Sequence, residues 1–221
     1  MRTWDVVHRC EAASAFHARP IPEPSTRSVW VCDATQPALV LGSAQGAALA
    51  DHGACARAGT EVVRRRSGGG AVLVVPGDLL WVDVLVPAGD PLWSADVGTA
   101  FHWLGEVWQE ALAELGLRAA VHRGALVRPP WSDLVCFAGT GPGELLDSTG
   151  AKVVGMSQRR TRDAARFQCA ALARWDPVAL LDLLALEPAA RKKAARDLRG
   201  AASGVGVPLD DLLQSFLSHL P

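Results

Sequence analysis

Residues 64–72 read RRRSGGGAV, and the three consecutive glycines at 68–70 constrain this chain more than any other stretch. TEVVRR before them and AVLVV after them have strand character, so the glycines form a loop between two strands. Residues without a Cβ reach backbone angles closed to others and let a second group approach the main chain directly. Amide N–H groups exposed in such a loop can surround a phosphate or carboxylate oxygen. Arg64, Arg65 and Arg66 set permanently charged, planar donors beside it, a chemistry suited to the same anions. Side chains alternate along a strand, so Arg65 points opposite to Arg64 and Arg66. Neither GxxxxGK[ST] nor GxGxxG occurs, which separates this loop from the P-loop and the dinucleotide fingerprint.

The rest of the composition says that these arginines are a local feature. A net charge of -1 argues against general binding to nucleic acid or to a membrane surface. No apolar run approaches the roughly 18 residues of a membrane span, and Asp5, His8 and Glu11 interrupt the start where a secretory signal would be apolar. A cytoplasmic protein is expected. The cysteines at 10, 32, 55, 136 and 169 show no CxxC spacing, so they form neither a disulfide framework nor a zinc site. Each reads as a small buried hydrophobe, Cys136 excepted. Lys152 stands alone in an arginine-biased chain, since the other lysines are the pair Lys192 and Lys193.

Hydrophobic patterning outlines the elements. PIPEPSTRS at 20–28 connects an N-terminal segment to the strand VWVCD, and PALVLGSAQ reads as a strand with a turn at Gly42. Residues 47–58 suit a helix stopped by Gly59. In LLWVDVLVP, Leu80, Val82, Val84 and Val86 share one face and Trp81, Asp83 and Leu85 the other. Three- and four-residue steps from Val97 to Leu115 predict a helix capped by Ser94 or Asp96 and ended by Gly116. AAVHR, DLVCF and ARFQCAALARW read as strands, and ELLDSTGAKVVGMSQRR as a hairpin turning at Ser148-Thr149-Gly150. The basic run from Gln158 to Arg166 reads as a solvated loop. After Asp176-Pro177, a cap followed by proline at the first helical position, the chain turns mostly helical. The pattern predicts an α+β fold with a mixed, largely antiparallel sheet, a body over 1–176 and a helical extension over 177–221.

RRxSGGGA resembles the signature of the lipoate–protein ligase and biotin ligase superfamily, on its lipoate branch. PALVLGSAQ upstream is similar to that family's strand ending in glycine and glutamine, and GAKVVGMSQRR downstream to its GxKxxGxxQ segment. The resemblance covers roughly 29–176. It implies a biotin/lipoate ligase-like catalytic domain that activates lipoate or octanoate with ATP and Mg2+. The acyl group would then pass to a lysine of a lipoyl domain, in 2-oxoacid dehydrogenases or the glycine-cleavage H protein. Lys152 then bridges acyl carbonyl and phosphate as the catalytic cation. Arg65, Ser67, Gly68, Gly69, Gly70, Ala71, Val72 and Leu73 hold the nucleotide or acyl group, and Gly155 and Ser157 are small positions that admit it.

Some residues depart from the ligase pattern. CFAGTGPGE from Cys136 resembles instead the octanoyltransferases that use acyl carrier protein, whose cysteine is a nucleophile. That branch needs no ATP. Phe167-Gln168-Cys169 stands where the family commonly has glutamine and histidine, and Asp78 and Asp83 are turn or metal-facing carboxylates. Only residues 177–221 follow the resembling part, where larger ligases carry an accessory domain, so the expectation is either a separate accessory subunit that completes ligation or an acyl group that arrives already activated. Three readings therefore stand open: ATP-dependent ligase, Cys136-dependent octanoyltransferase, and a non-catalytic protein that binds lipoate or a lipoyl domain. Biotin ligation fits less well.

Overall fold

The structure is a computed structural model that describes residues 4–23 and 25–221; Pro24 of the proline-rich connection lies outside the described residues, as do residues 1–3. In chain order the elements are β1 (Asp5–Glu11), α1 (Ala13–Ala18), β2 (Ser28–Ala34), β3 (Ala38–Leu41), α2 (His52–Arg57), β4 (Glu61–Arg64) and β5 (Val72–Val74). There follow β6 (Leu79–Pro87), α3 (His102–Glu114), β7 (Ala119–Val121), β8 (Leu145–Asp147), β9 (Lys152–Arg160), β10 (Ala164–Leu172), α4 (Pro177–Leu181), α5 (Pro188–Asp197) and α6 (Leu209–Ser218).

Strand β6 is almost wholly apolar on both faces, as suits an interior strand. The larger sheet runs β1-β2-β6-β10-β9-β8-β7. Only β1 and β2 in it are parallel; every other neighbour is antiparallel. A smaller sheet, β4-β3-β5, has β3 parallel to β4 and antiparallel to β5. The α+β architecture and largely antiparallel mixed sheet are those the sequence predicts. Leu80, Val82, Val84 and Val86 meet α3 and α6, where Trp108 stacks on Phe216 with ring centroids 4.3 Å apart. Trp81 and Leu85 face the other way, toward α1 and the smaller sheet. The helices after Asp176 enter the same cores: Leu212, Leu213 and Phe216 pack with α3, and Leu180, Leu184 and Leu198 with Leu39 and Leu41. Among the described residues no helix is long and apolar enough to cross a membrane.

Asp83 sits on the α1 side of β6 with no exposure, paired to the equally buried Arg166 of β10. Arg166 Nε donates to Asp83 Oδ2 at 2.8 Å, and its other nitrogens donate to the carbonyls of Phe16 (2.8 Å) and Arg19 (3.1 Å). The pair thus ties α1 to the sheet. Asp78, by contrast, holds the exposed Arg174.

Three local expectations need correction, and one segment without an assignment in the sequence gains one. The N-terminal segment is a strand, β1, which reads poorly alone because its side chains alternate between exposed and half-buried at a sheet edge. Residues 47–58 split into a 3-10 turn at Ala47–Leu49 and α2, because Asp51 Oδ1 accepts from Ala54 N (2.8 Å) and starts a new helix. DLVCF is not a strand. Pro129-Pro130 remove two donors, the chain turns through Trp131 at φ 73°, and Cys136–Ala138 coil into a 3-10 turn. The basic run is no loop either: it forms the ends of β9 and β10, with Arg166 buried.

Removing one member of the buried pair strands the other charge. Asp83→Ala is expected to lower unfolding free energy by about 3–5 kcal/mol. Asp78→Ala, which frees only an exposed arginine, should cost less than about 1 kcal/mol. Urea unfolding of both variants checks the contrast.

Candidate functional site

Alternation along β4 turns Arg65 inward and leaves Arg64 exposed, as the sequence predicts. Arg65 Nη2 donates to the carbonyls of Gly68 and Gly70, each at 2.8 Å, so the glycine loop closes around its own arginine. Two glycines are needed for contact. A Cβ on Gly42 would lie 1.9 Å from Gly69 O, and one on Gly70 would lie 2.6 Å from both N and C of Val135. That approach lets Ala71 N donate to Leu134 O (2.8 Å) and Cys136 N to Ala71 O (3.0 Å). Gln45 secures the same segment, accepting from Gly42 N (2.9 Å) and donating to the carbonyls of Asp133 (2.8 Å) and Leu134 (3.1 Å).

These contacts fix Cys136, whose sulfur lies 3.6 Å from Arg65 Nη2. Lys152, the first residue of β9, is 2 % exposed; its Nζ donates to the carbonyl of Cys136 (3.0 Å) and to Glu144 Oε2 (2.8 Å). A β-bulge aims it. Leu145 pairs with Val154 but Leu146 with Lys152, so Val153 is an extra residue that shifts the alternation. Lys152 therefore shares a face with Gly155, and both meet Phe137: Nζ is 5.5 Å from the ring centroid, and a Cβ on Gly155 would be 3.3 Å from Cζ. The main chain of Lys152 is pinned by the C-terminal segment, through its N–H to Ala201 O and its carbonyl to Ser203 N, both 3.0 Å. Glu144, itself buried, is saturated: besides Lys152 it accepts from Gly141 N (2.6 Å) and Met156 N (2.8 Å).

Beside Cys136 opens a mainly apolar cavity, with Val40, Val72, Val74, Leu79, Trp81, Met156 and Ala170 in its walls and His17 and Gln168 as polar members. The His17 ring lies 4.9 Å from that of Trp81. Burial, then the charges of Arg166 and Arg65, lower its pKa to about 3, so it is neutral at physiological pH. Phe137 separates this cavity from a second one, lined by Val72, Leu73, Asp78, Arg174, Trp175 and Asp176.

Of the residues singled out in the sequence, Arg65, Cys136, Val72, Gly155, Ser157 and Cys169 line the first cavity, and Lys152 stands behind its wall, with Nζ 5.5 Å from the Phe137 ring centroid. Ser67 is buried and accepts from Ser157 Oγ at 3.1 Å. Gly68 and Gly69 are exposed, Gly70 and Ala71 are buried under the loop, and Leu73 belongs to the second cavity. Cys169 is fully buried against α3, and burial pushes its thiol up, out of the reactive range. Asp83 is taken by Arg166, and among the described residues no group of three or more His, Cys, Asp or Glu gathers to hold a metal. Phe137 and Glu144 belong to the CFAGTGPGE segment but were given no role of their own in the sequence, and His17 was missed. A lone carboxylate before the apolar pair Leu145-Leu146 was a signal for Glu144; for His17, brought in by α1 from far along the chain, there was none.

Residues 14–218 match the family model of the lipoyl protein ligase A/B catalytic domain. Among solved structures, the chain is similar to a bi-partite lipoate protein ligase from Thermoplasma acidophilum, studied with its E2 lipoyl domain: TM-score 0.75, 18% identity, 99% of this chain and 82% of that one. It is also similar to a lipoate-protein ligase A bound with ATP (TM-score 0.68, 16% identity, 97% and 83%). A third is the T. acidophilum protein Ta0514 with bound lipoic acid (TM-score 0.70, 15% identity, 98% and 84%). Identities this low carry the fold alone. No curated protein matches by sequence.

His17 also predicts a pH dependence. Folded, it stays neutral down to about pH 3, whereas unfolded it takes up a proton near its ordinary value of 6.5. Between those values the unfolded chain binds more protons, so stability falls as pH falls. Urea midpoints measured from pH 7 to 4 should decline less steeply for His17→Asn than for the natural chain.

Proposed function

Because the chain belongs to the lipoyl protein ligase A/B catalytic-domain family, we propose that it transfers an octanoyl or lipoyl group to a lysine of a lipoyl domain through a thioester on Cys136. The observation that carries this reading is the placement of the Cys136 sulfur at the wall of an apolar cavity, with Arg65 Nη2 at 3.6 Å and Lys152 Nζ on the residue's own carbonyl. The cavity takes the acyl chain, and burial of its methylenes supplies the affinity.

Cys136 attacks the carbonyl of a donor thioester. Its C–S bond forms, the donor's C–S bond breaks, and the proton from Cys136 ends on the donor's thiol. A neutral lysine amine of the acceptor then attacks the acyl-cysteine; the C–N bond forms, the C–S bond breaks, and the amine proton passes to the Cys136 sulfur. In both steps negative charge gathers on the carbonyl oxygen. Lys152 has one N–H left beyond those given to Glu144 and Cys136, and directs it there. Glu144 holds that ammonium in place; without it a buried cation would lack its counter-charge. Donors are acyl carrier protein thioesters, acceptors the lipoyl domains of 2-oxoacid dehydrogenases or the H protein, and the setting is cytoplasmic.

A second reading, activation of a free acid with ATP and Mg2+, is favoured by the second cavity, where Val72, Leu73 and Trp175 would flank a planar base. The charges suit a triphosphate poorly. Asp78 and Asp176 line the rim, Arg174 is paired to Asp78, Arg65 is taken by loop carbonyls and Lys152 by Glu144.

Incubation with an octanoyl thioester and intact-mass detection tests the first reading. The natural chain should gain one octanoyl group and Cys136→Ser none. Lys152→Met should acylate at least about 100-fold more slowly. Octanoyl-adenylate formed from MgATP, with no adduct on Cys136, would replace this reading with the second.

A further inference from the structure

Arg159, half-buried, and Arg66, exposed, stand side by side without a partner among the described residues. Among the described residues, neither the Arg66 nor the Arg159 guanidinium makes a hydrogen bond or ion pair, and Arg159 Nη1 is buried without any partner. They are neighbours. Ser67, next to Arg66, bonds through its hydroxyl to Ser157, and Arg159 follows two residues later on the same face of β9. Arg159 also stands directly opposite Arg166 in the β9–β10 register. Like charges facing each other across a ladder repel, and Asp83 is already committed to Arg166. Burial, then Arg66 and Arg166, press the Arg159 guanidinium down from its ordinary value. A half-buried cation flanked by two others is costly to hold alone, and an anion that completes the set relieves that cost.

The glycine loop leads from this pair to the reactive sulfur. Gly69 lies three residues after Arg66, at most about 10 Å of extended chain. A Cβ on Gly69 would come within 3.3 Å of Cys136 Sγ. Between them Gly68 and Gly69 are exposed and bare. A slender arm can lie along that backbone, with one end at Cys136 and the other at the arginines.

We infer that Arg66 and Arg159 form an anion site for a phosphate ester, carried by the acyl donor on an arm that runs over Ser67-Gly68-Gly69 and presents its thioester to Cys136. The inference rests on the acyl-transfer reading and adds the residues that hold the donor's phosphate. The phosphate is remote from the reacting carbonyl, which an acyl-adenylate cannot offer, since its phosphate is bonded to the acyl group itself. Planar guanidinium pairs bind phosphate oxygens bidentately.

The test compares pantetheine with 4′-phosphopantetheine, free and as S-octanoyl thioesters, on the natural chain, Arg159→Gln and Arg66→Gln. Arg66 is exposed, so its variant folds even if the Arg159 variant does not. Calorimetry should show the phosphate tightening binding by about tenfold or more in the natural chain, and by less than about twofold in each variant. Acylation of Cys136 should show the same ratio at low thioester concentration and lose it in the variants. Equal binding of the two arms by the natural chain, or a phosphate effect that survives both substitutions, overturns the inference. ATP bound through Arg159, with no preference for the phosphorylated arm, assigns the anion site to a nucleotide and overturns it also. If the phosphorylated arm binds through the arginines but no thioester acylates Cys136, the anion site stands and the acyl-transfer reading falls.

Discussion

The site rests on one backbone contact. The chain leaving the glycine loop and the segment before Cys136 run so close that no side chain fits between Gly70 and Val135. Two main-chain hydrogen bonds, from Ala71 to Leu134 and from Cys136 to Ala71, close that approach. It holds an irregular segment as firmly as a strand would be held, but leaves Cys136 at the start of a 3-10 turn with its sulfur toward the cavity. Lys152 then takes its bearing from the carbonyl that this turn presents. Arg65 completes the arrangement from the other side, since the carbonyls it binds belong to the same loop.

Around that contact the molecule deals with buried charge in two ways. Asp83 with Arg166, and Glu144 with Lys152, are closed groups in which backbone partners satisfy what the ion pair does not. Such pairs add modest net stability but make their geometry hard to change, because loss of either member leaves an uncompensated charge. The first anchors α1 and so brings His17 to the cavity wall. The second fixes an ammonium on the carbonyl of Cys136. Arg66 and Arg159 belong to neither class: among the described residues they are unpaired, and neither lines the cavity.

Much of this was legible in the sequence. The strand alternation of Leu80 to Val86, the hairpin at Ser148-Thr149-Gly150, the cap at Asp176 and the inward turn of Arg65 are local properties, set by period and turn chemistry. The glycine loop was legible because three adjacent glycines have few structural purposes. What was hidden depends on distant chain. β1 is a strand because β2 offers it an edge, not because its own pattern insists. Cys136 leaves the strand that its apolar neighbours suggest because Gly70 draws the preceding segment aside. His17 becomes part of the cavity wall only through Arg166, far along the sequence. Glu144 carried a faint mark, a carboxylate against an apolar run, yet nothing nearby named Lys152 as its partner.

The short bridge between Lys152 and Ala202 has a consequence for how the protein is made. Both main-chain hydrogen bonds of Lys152 are completed by Ala201 and Ser203, which leave the ribosome well after Lys152 itself. Domains assemble from the N-terminus as the chain emerges. The glycine loop and Cys136 can therefore settle while the lysine still lacks its backbone partners. A nascent chain can hold Cys136 in its turn before Lys152 is pinned, and the proposed site is complete only once residues 201–203 have emerged.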